Sequence, residues 1–337
     1  MIIILKPHAA DDHIRAIERK LLELGLRLHV SKGEYRTTLG VIGDLRKLNA
    51  EQIRAMPYVE DVVRILTPYK LVSREFHPKD SVVQAPGVSI GAAEFVVMAG
   101  PCAVETEQQL MESALEVKKR GGKVLRASVF KPRSSPYDFQ GLKEDGLKIL
   151  QQAKKATGLA LETEVMDIRD IPLVARYVDI FRVGARNMQN YDLLKELGKV
   201  KKPVILKRGM ASTIKEFLLA AEYILAEGNP DVIMCERGIR TFETATRSTL
   251  DLSAVPVLKQ ETHLPVIVDP SHASGNRAYV IPMARAALAA GADGIIVEIH
   301  PCPEKALCDG PQALTLPMYA DMMLQLGKLA LAMGKTL

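Results

Sequence analysis

ALETEVMDIRDIPLVARYVDIFRVGARNMQNYDLLKELGKVKKPVILKR, residues 160–208, contains three short apolar runs, at 160–163, 180–183 and 203–206, separated by longer amphipathic stretches. Each run is only four residues long and rich in aliphatic side chains, which suits a strand buried on both faces rather than a helix. The intervening stretches carry apolar residues at helical spacing, so the segment reads as strand, helix, strand, helix, strand. A polar group follows each run: Glu164 after the first, Gly184, Ala185 and Arg186 after the second, Lys207 and Arg208 after the third.

The same alternation extends in both directions. Further runs lie at 95–98 and 123–127 before this segment, and at 232–235, 265–268 and 294–297 after it. Eight strand–helix units in about 240 residues match the size of a (β/α)8 barrel, whereas a doubly wound sheet has fewer strands and a glycine-rich first turn. Barrels of this kind carry their chemistry where strands end and loops begin. Polar residues stand at those positions throughout: Cys102 after the first strand, Arg126 at the end of the second with Lys131 and Arg133 beyond it, and Glu236 and Arg237 after the sixth. Asp269 and His272 follow the seventh strand, and Glu298 and His300 the eighth.

Before the barrel the pattern changes. Residues 1–5, 26–30, 37–42 and 59–66 read as strands and 11–24 and 50–56 as helices, giving the βαββαβ order of a ferredoxin-like unit. The expected division is a small domain over 1–70, a turn-rich linker with a hairpin over 71–93, and the catalytic barrel over 94–337. The first domain has no clustered histidines, cysteines or paired acids, so it is expected to regulate or oligomerise rather than catalyse.

Composition narrows the function classes. The 337 residues carry 45 Lys and Arg against 40 Asp and Glu, a net charge of +5 with no long basic run and few aromatics, which argues against a nucleic-acid partner and fits local pockets for small anions. No apolar stretch is long enough to span a bilayer, and the opening MIIILKPHAADD turns charged too soon for a signal peptide, so no membrane association and a cytoplasmic location are expected. Four cysteines in a chain this long suit a reducing compartment, where a thiolate is free to bind metal.

Two constellations carry chemistry. Arg126, Lys131, Arg186, Lys207 and Arg237 concentrate positive charge at the barrel mouth, and phosphate or carboxylate groups are the ligands that offset such mutual repulsion. Cys102, His272, Glu298 and Asp309 are ligand types for a borderline divalent ion, Zn²⁺, Fe²⁺, Mn²⁺ or Co²⁺, without choosing among them. Taken alone, Cys102 reads equally as a small buried hydrophobe. The two-residue period of a strand points Glu298 and His300 the same way, so either could be the ligand.

The segments AGPCAVE (99–105), LRASVFKPRSSPYDFQG (125–141), GARNMQN (184–190), LKRGM (206–210), CERGIRTFE (235–243), VDPSHASG (268–275) and VEIHP (297–301) resemble 3-deoxy-D-arabino-heptulosonate 7-phosphate (DAHP) synthase. The N-terminal unit resembles that of the subgroup with a ferredoxin-like regulatory domain. The resemblance implies condensation of phosphoenolpyruvate with erythrose 4-phosphate and water at the entry to the shikimate pathway. It implies that Cys102, His272, Glu298 and Asp309 bind the metal, which selects Glu298 over His300. It places Arg126, Lys131, Arg186, Lys207 and Arg237, with Gly184 and Ala185, on phosphoenolpyruvate, and Lys131, Pro132, Arg133 and Ser134 on the aldose phosphate. Lys131, Glu164 and His272 are the groups it sets nearest the chemistry. It further implies feedback inhibition by an aromatic amino acid and a homotetramer. The neighbouring reading is 3-deoxy-D-manno-octulosonate 8-phosphate synthase, which uses arabinose 5-phosphate; its equivalent loop resembles KANRS where this chain has KPRSS, and it lacks the N-terminal unit. A catalytically silent ligand sensor is the reading from another class. Cys302 and Cys308 match no motif position and are read as tolerated small loop residues.

Overall fold

The computed structural model describes residues 1–337 except 8, 34, 35, 44, 46, 47, 64–67 and 134. It divides into two compact units, Met1–Lys79 and Asp80–Leu337.

The first unit runs β1 (Ile2–Leu5), α1 (Asp11–Glu23), β2 (Arg27–Lys32), β3 (Thr37–Ile42), α2 (Ala50–Arg54) and β4 (Val59–Val63). The expected last strand reached residue 66, and its end lies outside the described residues. The antiparallel order β2-β3-β1-β4 inserts β3 between β1 and β2, which is the split βαβ of the ferredoxin-like fold. Ile14, Ile17 and Leu21 recur on one face of α1 and meet Ile3, Leu5, Leu39 and Val41 from the sheet, so the 3.6-residue and 2-residue periods share one core. Gly40 faces Phe76, and a Cβ at 40 would come within 2.2 Å of the phenyl ring, so this strand position requires glycine. Phe76 is buried and also packs on His29, with ring centroids 5.0 Å apart, which takes the unit past residue 70.

The second unit opens with an antiparallel hairpin, β5 (Val83–Ala85) and β6 (Val88–Ile90). Eight parallel strands follow: β7 (Val96–Gly100), β8 (Val124–Arg126), β9 (Ala160–Glu164), β10 (Ile180–Val183), β11 (Val204–Lys207), β12 (Val232–Glu236), β13 (Val266–Val268) and β14 (Gly294–Glu298). Pairing of β14 with β7, Gly294↔Val96 through Glu298↔Gly100, closes the barrel. Around it lie α3 (Glu107–Lys119), α4 (Lys143–Thr157), α5 (Ile171–Val174), α6 (Tyr191–Lys199), α7 (Ile214–Ala226) and α8 (Ala254–Glu261). The segment after β13 is split into α9 (Pro270–Ser274) and α10 (Arg277–Ala289), and α11 (Leu316–Ala332) ends the ring. Among the described residues no helix is long and apolar enough to cross a membrane.

Val83, Val88 and Ile90 of the hairpin join one apolar cluster with inward residues of the strands, among them Met98, Val124, Ala160, Ile180, Ile205, Ile233, Ile267 and Ile296. The hairpin therefore plugs the N-terminal end of the barrel with aliphatic side chains. The C-terminal end is left to the polar groups.

Candidate active site

Side chains along a strand alternate, so a residue two positions beyond an inward apolar residue also points inward, one layer higher. Val124 leads to Arg126, Ile180 to Arg182, Ile205 to Lys207, Cys235 to Arg237, Ile267 to Asp269, Ile296 to Glu298, and Ala160 to Glu162 and then Glu164. Every first member of these pairs lies in the apolar cluster, and every second member is a buried charged group. A charged layer thus sits directly on an apolar one, and it persists because its members are paired. Arg126 Nη1 donates to Glu298 Oε1 at 2.9 Å and to the Pro101 carbonyl at 3.0 Å. Arg182 donates from Nε to Glu162 Oε1 at 2.7 Å and from Nη2 to Ser128 Oγ at 2.6 Å, and stands 3.7 Å from Glu164 Oε2. Lys207 Nζ is paired with Asp269 Oδ2.

Above this layer opens a cavity of about 350 Å³. Lys131, Glu164, Arg186, Lys207, Arg237 and His272 line it, as do Pro132, Arg133, Gly184, Ala185 and Asp309. Ser134 lies outside the described residues. Arg126 does not line the cavity: it is wholly buried against Glu298, and its Nε and Nη2 have no hydrogen-bond partner among the described groups. Gly184 is placed where a Cβ would come within 2.1 Å of Glu164 Oε1, so the bare backbone is what lets the carboxylate reach the 184–186 turn.

Cys102, His272, Glu298 and Asp309 each bring a ligand atom to one point, all within 4.8 Å of one another. Cys102 Sγ lies 3.1 Å from Asp309 Oδ2, and His272 Nε2 lies 3.2 Å from Glu298 Oε1. Asp269 sets the imidazole: its Oδ1 accepts the His272 backbone N–H at 2.9 Å as the cap of α9, and its Oδ2 lies 2.7 Å from Nδ1. A carboxylate on Nδ1 turns Nε2 toward the cluster, the arrangement that orients histidine ligands. Burial, the largest effect on His272, holds it below its ordinary pKa despite Asp269 and Glu298, so the ring is neutral and has a lone pair to offer. Burial opposes ionisation of Glu298, yet His272, Arg126 and Lys131 together hold it well below the usual carboxylate range. The Cys102 thiol is pushed up by its hydrogen bond with Cys308, by burial and by Glu298, against Lys131. One sulfur, one neutral imidazole nitrogen and two carboxylates in mutual reach fit a divalent cation, and they fit little else, because without one the acids crowd each other.

Lys131 bridges the two constellations, its Nζ standing 2.9 Å from Cys102 Sγ at the cavity wall. Burial works against its charge, but Cys102, Cys308, Glu164 and Glu298 outweigh it and raise the ammonium above its ordinary range. Glu164 likewise stays ionised: burial raises it, and Arg182, Lys131 and Lys207 more than compensate.

His300, left open as a ligand by strand periodicity, is not part of the cluster. The strand ends at Glu298, and His300 turns to Glu105, with Nε2 at 3.4 Å from Oε2, while its Nδ1 lies 3.0 Å from the Cys302 backbone nitrogen. Cys308, read from sequence as a tolerated small loop residue, is buried against Cys102. Sequence reasoning also passed over Arg182, Arg240 and Arg247, which line the cavity. For Arg182 the signal was present, a lone charge inside the apolar run IFRV at an inward position. Arg240 stood inside the quoted motif CERGIRTFE without being singled out, and for Arg247, on a loop, there was no signal.

Residues 74–332 match the family model described as DAHP synthetase I family, and residues 1–67 match the DAHP synthase ferredoxin-like domain. A phospho-2-dehydro-3-deoxyheptonate aldolase of Thermotoga maritima is 52% identical over 334 residues, covering 99% of each chain. A crystal structure of the Thermotoga maritima phospho-2-dehydro-3-deoxyheptonate aldolase (DAHP synthase) aligns with TM-score 0.80 at 51% identity, over 99% of this chain and 98% of that one. A truncated form of that organism's 3-deoxy-D-arabino-heptulosonate 7-phosphate synthase aligns with TM-score 0.74 at 50% identity, over 79% of this chain and 98% of that one. A 2-dehydro-3-deoxyphosphooctonate aldolase of Syntrophobacter fumaroxidans is more distant, 30% identical over 70% of this chain and 88% of that protein. With two families of residues converging on one barrel mouth and both units matched along their length, the chain belongs to the DAHP synthetase I family.

Proposed function

We propose that this enzyme condenses phosphoenolpyruvate with erythrose 4-phosphate and water, forming DAHP and inorganic phosphate, with a divalent metal held by Cys102, His272, Glu298 and Asp309. The observation that carries the reading is the placement of this four-donor cluster beside Lys131 in a cavity walled by Arg186, Lys207 and Arg237.

The cationic wall holds the phosphate and carboxylate of phosphoenolpyruvate, Arg186 and Arg237 offering planar forks and Lys207 a point charge. Arg126 acts from the layer below as the partner of Glu298. Pro132 and Arg133 face the aldose phosphate, and Arg240 and Arg247 add positive charge to that wall. The enol C3 attacks the aldehyde carbon, and negative charge grows on the aldehyde oxygen. Lys131, kept protonated by its anionic neighbours, donates to that oxygen and supplies its proton. Cys102, His272, Glu298 and Asp309 would hold a divalent ion there, and it would supply Lewis-acid polarisation. Positive charge left at C2 is met by water, whose proton passes to the ionised Glu164. The hemiketal phosphate then expels phosphate by cleavage of its C–O bond, the C2 hydroxyl passing its proton to the departing phosphate to leave the ketone.

Phosphate release measured with erythrose 4-phosphate and with arabinose 5-phosphate, each with and without chelator, tests substrate, reaction and metal together. Turnover is expected with erythrose 4-phosphate only and is lost on chelation. A preference for arabinose 5-phosphate would give the octulosonate reading, and no turnover with any aldose phosphate would give the silent sensor. The ferredoxin-like unit is the seat of feedback inhibition by an aromatic amino acid and supports a tetramer. Deleting residues 1–70 is expected to leave turnover and abolish that inhibition; inhibition that survives deletion defeats this role.

A further inference from the structure

After β14 ends at Glu298 the chain loops out and returns alongside the strand it left. Ile299 and Leu314 form a parallel bridge, the Leu314 N–H donates to the Glu298 carbonyl at 2.8 Å, and the His300 N–H donates to the Leu314 carbonyl at 2.9 Å. This return carries Gln312 to the Glu298 side chain, fourteen residues away in sequence. Asp309, in the left-handed region at φ 54°, starts the turn, and the Gln312 N–H donates to its carbonyl at 3.2 Å. One turn therefore presents Asp309 to the metal cluster and Gln312 to Glu298.

The two oxygens of Glu298 have different partners. Oε1 accepts from Arg126 Nη1 at 2.9 Å and stands 3.2 Å from His272 Nε2, while Oε2 accepts from Gln312 Nε2 at 2.5 Å. Gln312 is completely buried, and its Oε1 has no hydrogen-bond partner among the described groups. A buried amide with an unpaired carbonyl is costly to the fold, and reversing it would set that carbonyl against a carboxylate. The bond to Glu298 is what the side chain contributes.

We infer that Gln312 is a positioning residue for the metal site: it fixes the plane of the Glu298 carboxylate and ties the Asp309 turn to it, so two of four ligands are set before the ion arrives. The inference rests on reading the cluster as a metal site.

Cobalt(II) titration of the chelator-stripped full-length protein, followed by visible absorption including the thiolate-to-cobalt band, tests it. Gln312→Met, which keeps the volume and removes the donor, is expected to weaken cobalt binding about 10- to 100-fold, the range typical of outer partners of metal ligands, and to alter the band. Melting of the metal-free variant should stay close to the parent, and phosphoenolpyruvate affinity measured without metal should not change. If Gln312→Met melts far below the parent, the isosteric Gln312→Glu takes its place, with the same or a larger loss expected from setting two carboxylates together. A folded variant binding cobalt within twofold of the parent, with an unchanged spectrum, overturns the inference alone. A parent with no thiolate band, or one whose band survives Cys102→Ser, overturns the metal site and this inference with it.

Discussion

The two ends of the barrel are built by the same strands and differ in everything else. At the N-terminal end, inward positions such as Val124, Ile180, Ile205 and Ile267 close over Ile90 of the hairpin. Two residues further along, the same rows become Arg126, Arg182, Lys207 and Asp269. The first layer supplies stability through excluded water, and the second supplies chemistry through charges that the first layer and their own pairings hold in place. Function and stability are separable here by about one strand pleat.

The sharpest way to break the comparison is at the upper layer's metal cluster. Chelation, or Cys102→Ser, is expected to lower kcat by more than about 10³-fold, since a Lewis acid is worth several kcal/mol in the transition state; adding back manganese, iron, zinc or cobalt to the chelated parent in turn identifies the active ion by recovered phosphate release. Lys131→Met should cost about 10²- to 10⁴-fold in kcat, as for loss of a proton donor, with a smaller loss in phosphoenolpyruvate binding; steady-state kinetics with calorimetric binding separates the two.

At the lower layer the effects should reverse. Ile90→Ala opens a cavity under the hairpin and is expected to cost about 2–5 kcal/mol in a urea unfolding titration while kcat/KM stays within about twofold. A fall in activity larger than the fall in stability would mean the two layers are mechanically coupled.

Acid sharpens the contrast. Glu298 and Glu164 are held below the ordinary carboxylate value of 4.5, so the unfolded chain binds more protons in that range. Their stabilisation is present above pH 4.5 and is lost as pH falls through the lower values of the folded state. The metal-free protein should therefore lose stability in acid, Glu298→Gln should flatten that dependence, and Ile90→Ala should lower the curve without changing its slope; unfolding midpoints between pH 3 and 7 give the answer. The smallest change belongs to a partly exposed pair near the strand starts, where Lys154 Nζ lies 2.6 Å from both Asp179 oxygens. Lys154→Met is expected to cost under about 1 kcal/mol and leave kinetics untouched, by the same two assays.

Much of this was legible without coordinates. Runs such as PVIL followed by Lys207 and Arg208 announce both a buried strand and the end at which chemistry gathers, because burial demands apolar side chains and the barrel mouth does not. His300 shows where such reasoning stops: strand periodicity set it beside Glu298, but its imidazole meets Glu105 instead of the cluster. Gln312 shows a second limit, since nothing in GPQALT marks a glutamine that meets a side chain fourteen positions earlier.

From the residue order alone came the alternation of strands and helices, the small βαββαβ unit ahead of them, and the types of group at each strand end, all consequences of local periodicity. What required the folded chain was the meeting of those ends: which oxygen of Glu298 faces His272, that Arg126 lies beneath the cavity rather than in its wall, and that Cys308 lies against Cys102. Distances across a closed barrel depend on every strand's tilt and every loop's return path at once, and no stretch of sequence encodes them by itself.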